Sequence, residues 1–555
     1  MMPGMKYISA AAVMCLLLAN AASANLPALS QEIIEQQQKA RLEQAQQQRE
    51  ALLTPQNIPL LPAIADKDSG SCQYITRIKF IRANSLSEKD KAALVRPFVG
   101  RCLTMSNIMQ LQRAATNRYI QRGFITSHIW LSPQDLTHGT LALTASEGRV
   151  ESITLGGDRP LMLNSAFPHL IGRVLNLRDL EQGLEQLNRL RSQQVTIDIQ
   201  PGTRAGYSAV VLHRDNSRLP LQAELGIDNS GQKSTGRGQL NASASLDNLL
   251  RLADRWLISA SHNSDFASSY HSRAVNGALT LPWGWWLLSV QGGWSEQLQT
   301  IHARSGSWDY RGKSVSQRLN LSRMLWRNDR SRLAADVGLN HRRITNRLAG
   351  EKLHVSSPRL SVLQLGASFS TQLAGGYLTS NPQVDRGIVL SAEGKGAAQA
   401  QGGPRRTFTK YSLNTSYLYP LSERLSWLTS AYGQATADNL HASERLSVCG
   451  QYSVRGYKDR YLSGNRGLYW RNELNWQLGS LPSVGSISIT AALDGGWLDG
   501  ERGNISGGKL GGSALGIAAE GRGFSQSLSA AKPLAHPRGL HPDSWVMYWQ
   551  VGVRL

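Results

Sequence analysis

The 555 residues carry 60 Lys and Arg against 39 Asp and Glu, a formal charge of +21, with the basic residues scattered through polar positions. Such a balance raises a nucleic-acid partner. The first residues argue against one: Lys6, an apolar run from Ala11 to Leu18 and the small residues Ala22-Ser23-Ala24 form the pattern of a cleavable secretory signal. The run is too short to span a bilayer comfortably, so cleavage is expected after Ala24. An exported chain does not meet nucleic acid, and dispersed positive charge suits a hydrated lumen and contact with anionic outer-leaflet lipid. No later apolar stretch is long enough for a transmembrane helix, which leaves a soluble protein or a β-barrel. The 52 Gly and 14 Trp favour the barrel, where strands are short and aromatic residues form interfacial girdles.

The mature chain opens on a glutamine-rich stretch, Ser30 to Leu53, without Gly or Pro and stopped by Pro55, which reads as a helix with Ser30 as its cap. Ile33, Ile34, Leu42 and Leu53 make only a thin apolar stripe, so most of the surface must face something wet. A solvated spacer or coiled coil is one reading and a plug in a polar lumen the other. Residues 54–70, with several prolines, read as a linker.

From Ser71 strands alternate with helices, as in small mixed domains. Ile75, Ile78 and Phe80 suggest one strand. Ile108, Leu111, Ala115 and Tyr119 give a helical stripe, and strands follow at His128–Leu131 and Thr140–Leu143. A second unit runs through strand Val150–Leu155, helix Leu177–Leu190 with Leu180, Leu184 and Leu187 on one face, and strands Val195–Ile199 and Ser208–Leu212. Two units with one element order look like an internal repeat.

From about Pro220 helical periodicity gives way to alternating segments of about 10 residues, the length that tilted membrane strands need. In the last of them Trp545, Met547, Trp549, Val551, Val553 and Leu555 share one face, and Val546, Tyr548, Gln550, Gly552 and Arg554 the other. In 468–478 Leu468, Trp470, Leu474 and Trp476 oppose Tyr469, Arg471, Glu473, Asn475 and Gln477. A soluble sandwich would turn the polar face to solvent, whereas a large barrel would line a wet pore with it.

Of 4 Cys, Cys15 leaves with the signal. In an oxidising compartment Cys72 and Cys102 could close a loop inside one small domain, stabilising it by about 3 kcal/mol in the chain-entropy model. The alternative is two unpaired core residues, since spacing does not establish geometry. Cys449 is left as a free thiol.

The chain resembles the two-partner secretion transporters (TpsB family), which export haemolysins, filamentous haemagglutinins and contact-dependent inhibition toxins. The resemblance covers nearly the whole mature chain. It rests on Cys72, Arg101-Cys102-Leu103, Tyr119, Gly123-Phe124-Ile125-Thr126-Ser127, Pro133-Gln134-Asp135-Leu136 and Glu147-Gly148, then on Leu180-Glu181, Leu187-Asn188, Pro201-Gly202 and Gly206. Its most specific motif is Val454-Arg455-Gly456-Tyr457, followed by Lys458-Asp459. The family implies two POTRA domains that capture an unfolded client, and a loop folded back into the barrel whose arginine meets an inward aspartate. Here that aspartate is Asp494: Ile487, Ile489, Ala491 and Leu493 share one face, so Asp494 points to the lumen. From spacing alone Arg455 could equally be a solvated turn residue. Relatives usually carry an aromatic residue at Leu493, so the packing under the loop is expected to differ. Asp228-Asn229-Ser230-Gly231 with Thr235-Gly236 resembles the family's first hairpin and needs no more than turn chemistry. The final Leu555 departs from the aromatic terminus common in outer-membrane barrels.

The expected fold is thus a transmembrane antiparallel β-barrel, of about 16 strands by the resemblance, preceded by two α+β POTRA domains and an N-terminal plug helix. The expected layout is signal 1–24, plug helix 25–53, linker 54–70, POTRA domains 71–148 and 149–215, and barrel 216–555. The resemblance implies a large exoprotein as client, activated as well as exported in relatives that serve haemolysins, with lipopolysaccharide and the barrel-assembly machinery as further partners of a monomer. The second domain's strand 208–212 is the expected client-pairing edge. The rivals are a barrel-assembly factor, a porin, which leaves the two mixed domains unexplained, and a barrel hydrolase. Against the last, the sequence shows no Gly-x-Ser-x-Gly elbow, zincin His pair, Walker loop or metal-ligand spacing among its 12 His, so neither enzyme nor cofactor is expected.

Overall fold

The computed structural model describes residues 28–52, 71–214, 219–303, 306–390, 403–482, 484–500 and 507–555. The signal segment, Leu53 and the linker lie outside them. A helix runs from Ala28 to Leu52. Ser30 is therefore inside its first turn and not its cap, and it is buried.

In the first small domain the strand expected through Ile75, Ile78 and Phe80 divides into Gln73–Ile75 and Arg77–Ile81. The reason is local: the N–H groups of Thr76 and Arg77 both donate to the carbonyl of Gly139, at 2.8 and 3.0 Å, which turns the chain between them. Gln73–Ile75 pairs with Arg101–Leu103, and Cys72 and Cys102 are disulfide-bonded across this ribbon, Cα to Cα 5.3 Å. Arg77–Ile81 runs parallel to Thr140–Ser146, which on its other side pairs antiparallel with His128–Trp130. Helix Met105–Gln121 lays Ile108, Leu111, Ala115 and Tyr119 on this sheet.

The second domain repeats the plan. Arg149–Leu155 is parallel to Tyr207–Arg214, which pairs antiparallel with Val195–Pro201, and helix Leu177–Asn188 buries Leu180 and Leu187 beneath. Tyr207–Arg214 is thus the central strand, paired on both sides, and the expected edge at 208–212 is not an edge. Its alternate residues Ser208, Val210 and Leu212 are buried because the central strand of a three-stranded sheet carries most of the core.

Sixteen antiparallel strands, from Leu221–Asp228 to Val546–Arg554, close into a barrel, with a two-residue strand Glu351–Lys352 added beside one of them. Closure rests on the register Gln550↔Asp228 to Arg554↔Glu224. Alternation sorts the faces as expected: Trp545, Met547, Trp549, Val551, Val553 and Leu555 are exposed on the outer wall, while Val546 and Tyr548 are buried within. Asn229 extends the seam beyond the ladder, donating through Nδ2 to the carbonyl of Met547 at 2.8 Å and accepting from the Trp549 N–H at 3.0 Å. The first hairpin is therefore more than a turn.

The second small domain is fixed to the barrel turns at one end. The Trp285 indole donates to Asp179 at 2.8 Å, Arg327 meets Glu185 at 3.0 Å and Glu181 at 3.4 Å, and Ser192 Oγ donates to Asp247 at 3.0 Å. Gln186 donates to the carbonyl of Gly284 at 3.2 Å. This end of the barrel is its entrance.

Candidate functional site: a helix and a loop inside the barrel

Strands Leu425–Thr436 and Gly467–Leu481 are joined at the end far from the small domains by residues 437–466, which turn back into the lumen. A short ribbon, Leu446–Ser447 with Ser463–Gly464, pinches the loop. Glu444 anchors its first limb: Lys410 Nζ lies 3.0 Å from Glu444 and 3.1 Å from Asp385, all three buried.

The tip holds the motif. Asp494 faces inward on strand Gly485–Leu498 and receives Arg455 three times: from its main-chain N–H at 3.1 Å, from Nε at 2.7 Å and from Nη2 at 2.6 Å. The fork of a guanidinium matches the two carboxylate oxygens, so the pair is bidentate. Its remaining Nη1 lies 2.8 Å from Glu473, which also receives Arg471 at 2.7 Å, and Arg471 donates to the Gln451 carbonyl at 3.2 Å. Two cations and two carboxylates form a quartet of balanced charge in a desolvated place. Sequence reasoning found Arg455 and Asp494 but missed Glu473 and Arg471. The signal was present, since both lie on the inward face of their strand and Arg471 stands opposite Asp494 in register.

The other motif residues dock the tip by packing. Val454 is buried with Val448, Cys449, Tyr457, Tyr469 and Leu498, and Cys449 is a free, buried thiol. Tyr457 is fully buried, its hydroxyl 2.8 Å from the Gly511 carbonyl and 2.6 Å from that of Ala535, to either of which it can donate its one proton. Gly456 has φ +100°, where an L side chain is strained, and a Cβ there would meet the Lys532 carbonyl carbon at 2.6 Å. The wall answers with Gly512, where a Cβ would lie 1.9 Å from the Arg455 carbonyl oxygen. Beyond the tip Asp459 accepts from the Lys233 N–H at 2.7 Å and from Arg237 at 3.2 Å, and Lys458 donates to the Asn229 carbonyl, so the loop is tied to the first hairpin at the seam. Leu493 points outward and is exposed, so its departure from the aromatic residue of relatives does not alter the packing under the loop.

Helix Ala28–Leu52 lies inside the lumen beside the loop, which settles its two readings in favour of the plug. Leu29 and Ile33 pack on Ile344 of the wall. Most other contacts are polar: Glu32 accepts from Ser272 at 3.1 Å and from Gln297, Gln48 donates to Asn381 at 2.9 Å, and the Arg41 guanidinium stacks 3.8 Å from the Tyr432 ring centre. Gln38 donates to the Ser447 carbonyl at 2.7 Å, joining helix to loop. A glutamine-rich helix fits because its long neutral amides reach polar groups all around without a net charge to compensate. Between helix and wall a cavity of about 690 Å³ remains, lined by Glu35, Lys39 and Glu43 of the helix and by Arg318 and Asn340 of the wall.

In the first small domain the resemblance residues prove architectural. The Tyr119 hydroxyl donates to Glu147 at 2.9 Å, and a Cβ at Gly148 would lie 2.7 Å from the Thr126 carbonyl. Buried Asp90, in the short helix Glu88–Val95, ties that helix to Met105–Gln121 by accepting from Arg118 at 2.8 Å and Arg122 at 2.9 Å; Arg122, Ser87 and Arg118 hold its carboxyl well below the usual carboxylate range against the opposing effect of burial.

A closed barrel entered through two small domains and obstructed by a helix and an inward loop is the architecture of a gated outer-membrane exporter. The chain belongs to the haemolysin secretion/activation protein family ShlB/FhaC/HecB, which its residues 206–519 match. Residues 74–148 match the ShlB-type POTRA domain and 149–201 a POTRA domain. The outer membrane transporter CdiB of Dickeya dadantii is 41% identical over 96% of each chain, and the hemolysin transporter protein ShlB of Serratia marcescens 30% identical over 83% of this chain and 80% of the relative. Among solved structures, CdiB from Escherichia coli superposes with a TM-score of 0.91 at 40% identity, covering 96% of this chain and all of that one. The protein is thus a two-partner secretion transporter of the outer membrane: it moves a large exoprotein through its barrel, and its POTRA domains stand in the periplasm.

Proposed function

We propose that the client is a contact-dependent inhibition toxin and not a haemolysin. The observation that carries this is the contrast among relatives. Transporters called CdiB from Dickeya dadantii and Escherichia coli align over 96% and 99% of this chain at 41% and 40% identity, against 31% and 30% for the haemolysin transporters over shorter spans. The POTRA domains hold the client extended, the helix and the Arg455 loop rearrange, and the client threads outward and folds at the surface. The periplasm supplies no ATP, so folding outside drives transport, and the chain catalyses no chemical step.

Main-chain accounting supports one edge as the place that holds the client. At His128–Trp130 the outer edge is taken: Ile129 donates to Thr116 Oγ1 at 3.1 Å and accepts from Gln112 at 2.7 Å. At Arg149–Leu155 it is taken by Val150 to Arg173 at 2.9 Å and Gly172 to Val150 at 2.8 Å. At Val195–Pro201 Asn188 engages both the N–H and the carbonyl of Val195, at 2.7 and 3.1 Å. The outer edge of Arg77–Ile81 is then the one that accepts a client strand, by hydrogen bonds independent of client sequence.

The buried pair of Arg455 and Asp494 acts in this reading as the lock of the loop, with Val454, Gly456 and Tyr457 as its seat. The signal 1–24, plug helix 25–53, linker 54–70, POTRA domains 71–148 and 149–215 and barrel 216–555 are the working parts. The barrel-assembly machinery inserts the protein, which works as a monomer in contact with lipopolysaccharide. Deleting this transporter should strand one large exoprotein inside the cell and abolish contact-dependent inhibition of neighbours. A stranded haemolysin with inhibition intact would overturn the assignment of the client, and unchanged surface delivery of every large exoprotein would overturn the exporter.

A further inference from the structure

The outer wall carries a charged patch that neither lumen nor seam explains. On strand Trp286–Ala303 the outward residues Leu288, Val290 and Trp294 form part of the lipid-facing band, with Val275 and Val315 opposite Trp294 on the neighbouring strands. Ten residues beyond Trp286, about the 9–11 that one tilted span requires, stands Glu296, with Arg273 opposite it on one side and Lys313 on the other. Glu296 is buried beneath its cations: Arg273 is bonded to it, Lys313 lies at 3.2 Å and Arg311 at 3.8 Å. The Arg273 guanidinium also lies 5.3 Å from the ring centre of Trp294, at the border of the apolar band.

One row further out the balance fails. Arg311 stands opposite Arg347, and Arg347 opposite Lys352, three exposed cations in register across three strands. Like charges placed directly opposite in a sheet repel. Arg343, four positions before Arg347 on the same face and opposite Val315, is also exposed. Among the described residues no carboxylate lies within ion-pair distance of Arg343, Arg347 or Lys352; Asp309, one row beyond Arg311, is the nearest outward acid along that strand. A cationic row directly above an apolar band, on the side of the barrel away from the POTRA domains, matches an amphiphile with a phosphorylated head and acyl tails.

We propose that this patch is a binding site for the phosphate groups of the outer-leaflet glycolipid: Arg311, Arg347 and Lys352 hold the phosphates, and the acyl chains lie along Val275, Val315 and Val290 below. It gives a place to the lipopolysaccharide contact of the preceding reading and rests on it. The test uses the full-length protein, delipidated in mild detergent and titrated by native mass spectrometry with lipopolysaccharide, dephosphorylated lipopolysaccharide and inorganic phosphate. The triple variant Arg311→Ala, Arg347→Ala, Lys352→Ala should bind lipopolysaccharide at least tenfold more weakly while keeping the heat-modifiable migration of a closed barrel. Wild-type protein should bind the dephosphorylated lipid as weakly as the variant binds the intact one, a comparison that needs no variant to fold. Equal binding by variant and wild type would overturn the site and leave lipid contact elsewhere standing. Failure of the wild type to bind would overturn both, and competition by inorganic phosphate at concentrations equal to the lipid would reassign the row to a soluble anion.

Discussion

The two occupants of the lumen are held by different physics. The loop tip is fixed by a charge network of buried Arg455, Asp494 and Arg471 with the less buried Glu473, a buried tyrosine and a glycine-flat contact with the wall, whereas the helix is held by neutral amides, a few charged side chains on neutral partners and a short apolar stripe. A buried charge whose partner is removed costs several kcal/mol, while a neutral hydrogen bond exchanged for water costs little. The helix is therefore the occupant that leaves at small expense, and the loop the one that must be unlocked.

The largest effect should come from Arg455→Ala, which leaves Asp494 buried with one charged partner fewer. A loss of about 3 kcal/mol or more in loop docking is expected, read as a rise on the order of 100-fold in the labelling rate of Cys449 beneath the loop. Barrel migration should stay normal and secretion should fall. Adding Asp494→Ala should cost less than the sum of the two single changes; strict additivity would mean that the pair is not the lock. Reduction of Cys72–Cys102 should destabilise the first POTRA domain by about 3 kcal/mol, seen as faster proteolysis there. Because that domain is remote from the lumen, Cys449 labelling and channel conductance should not change. Acid should act on the same domain. The Asp90 carboxyl is depressed by its arginines, so its contribution is complete above the ordinary carboxylate pKa and is lost as pH falls from there through the folded value. Asp90→Asn should flatten that acid limb in proteolysis against pH.

Smaller effects separate loop from helix. Tyr457→Phe should cost about 1 kcal/mol and raise Cys449 labelling roughly fivefold with conductance unchanged. Gln48→Ala, which removes a helix-to-wall bond of 2.9 Å and is also worth about 1 kcal/mol, should raise the open probability in planar bilayers with little change in labelling. If both substitutions moved both readings equally, helix and loop would be a single gate.

Much of this was legible in the residues because alternation in a barrel is strict. Each strand has one face in lipid and the other in water, so Trp545 to Leu555 and Leu468 to Leu478 declare their orientation, and Asp494 its inward side. The glutamine-rich helix declared a wet surface on all sides but not its location. The Arg455 motif named a loop whose partner was reached through family resemblance, since spacing along the chain carries no distance across a lumen.

What the sequence alone determined is therefore the set of local periods: a barrel, two repeated small domains, a polar helix and a marked loop. The tertiary structure decided what depends on register between strands distant in sequence. It made Tyr207–Arg214 a central strand and not an edge, joined Glu473 and Arg471 to the Arg455–Asp494 pair, turned Leu493 away from the loop, and aligned Arg311, Arg347 and Lys352 on the outer wall. A period of two fixes the face of each residue, but only hydrogen-bonded register fixes its neighbours, and the site is made of neighbours.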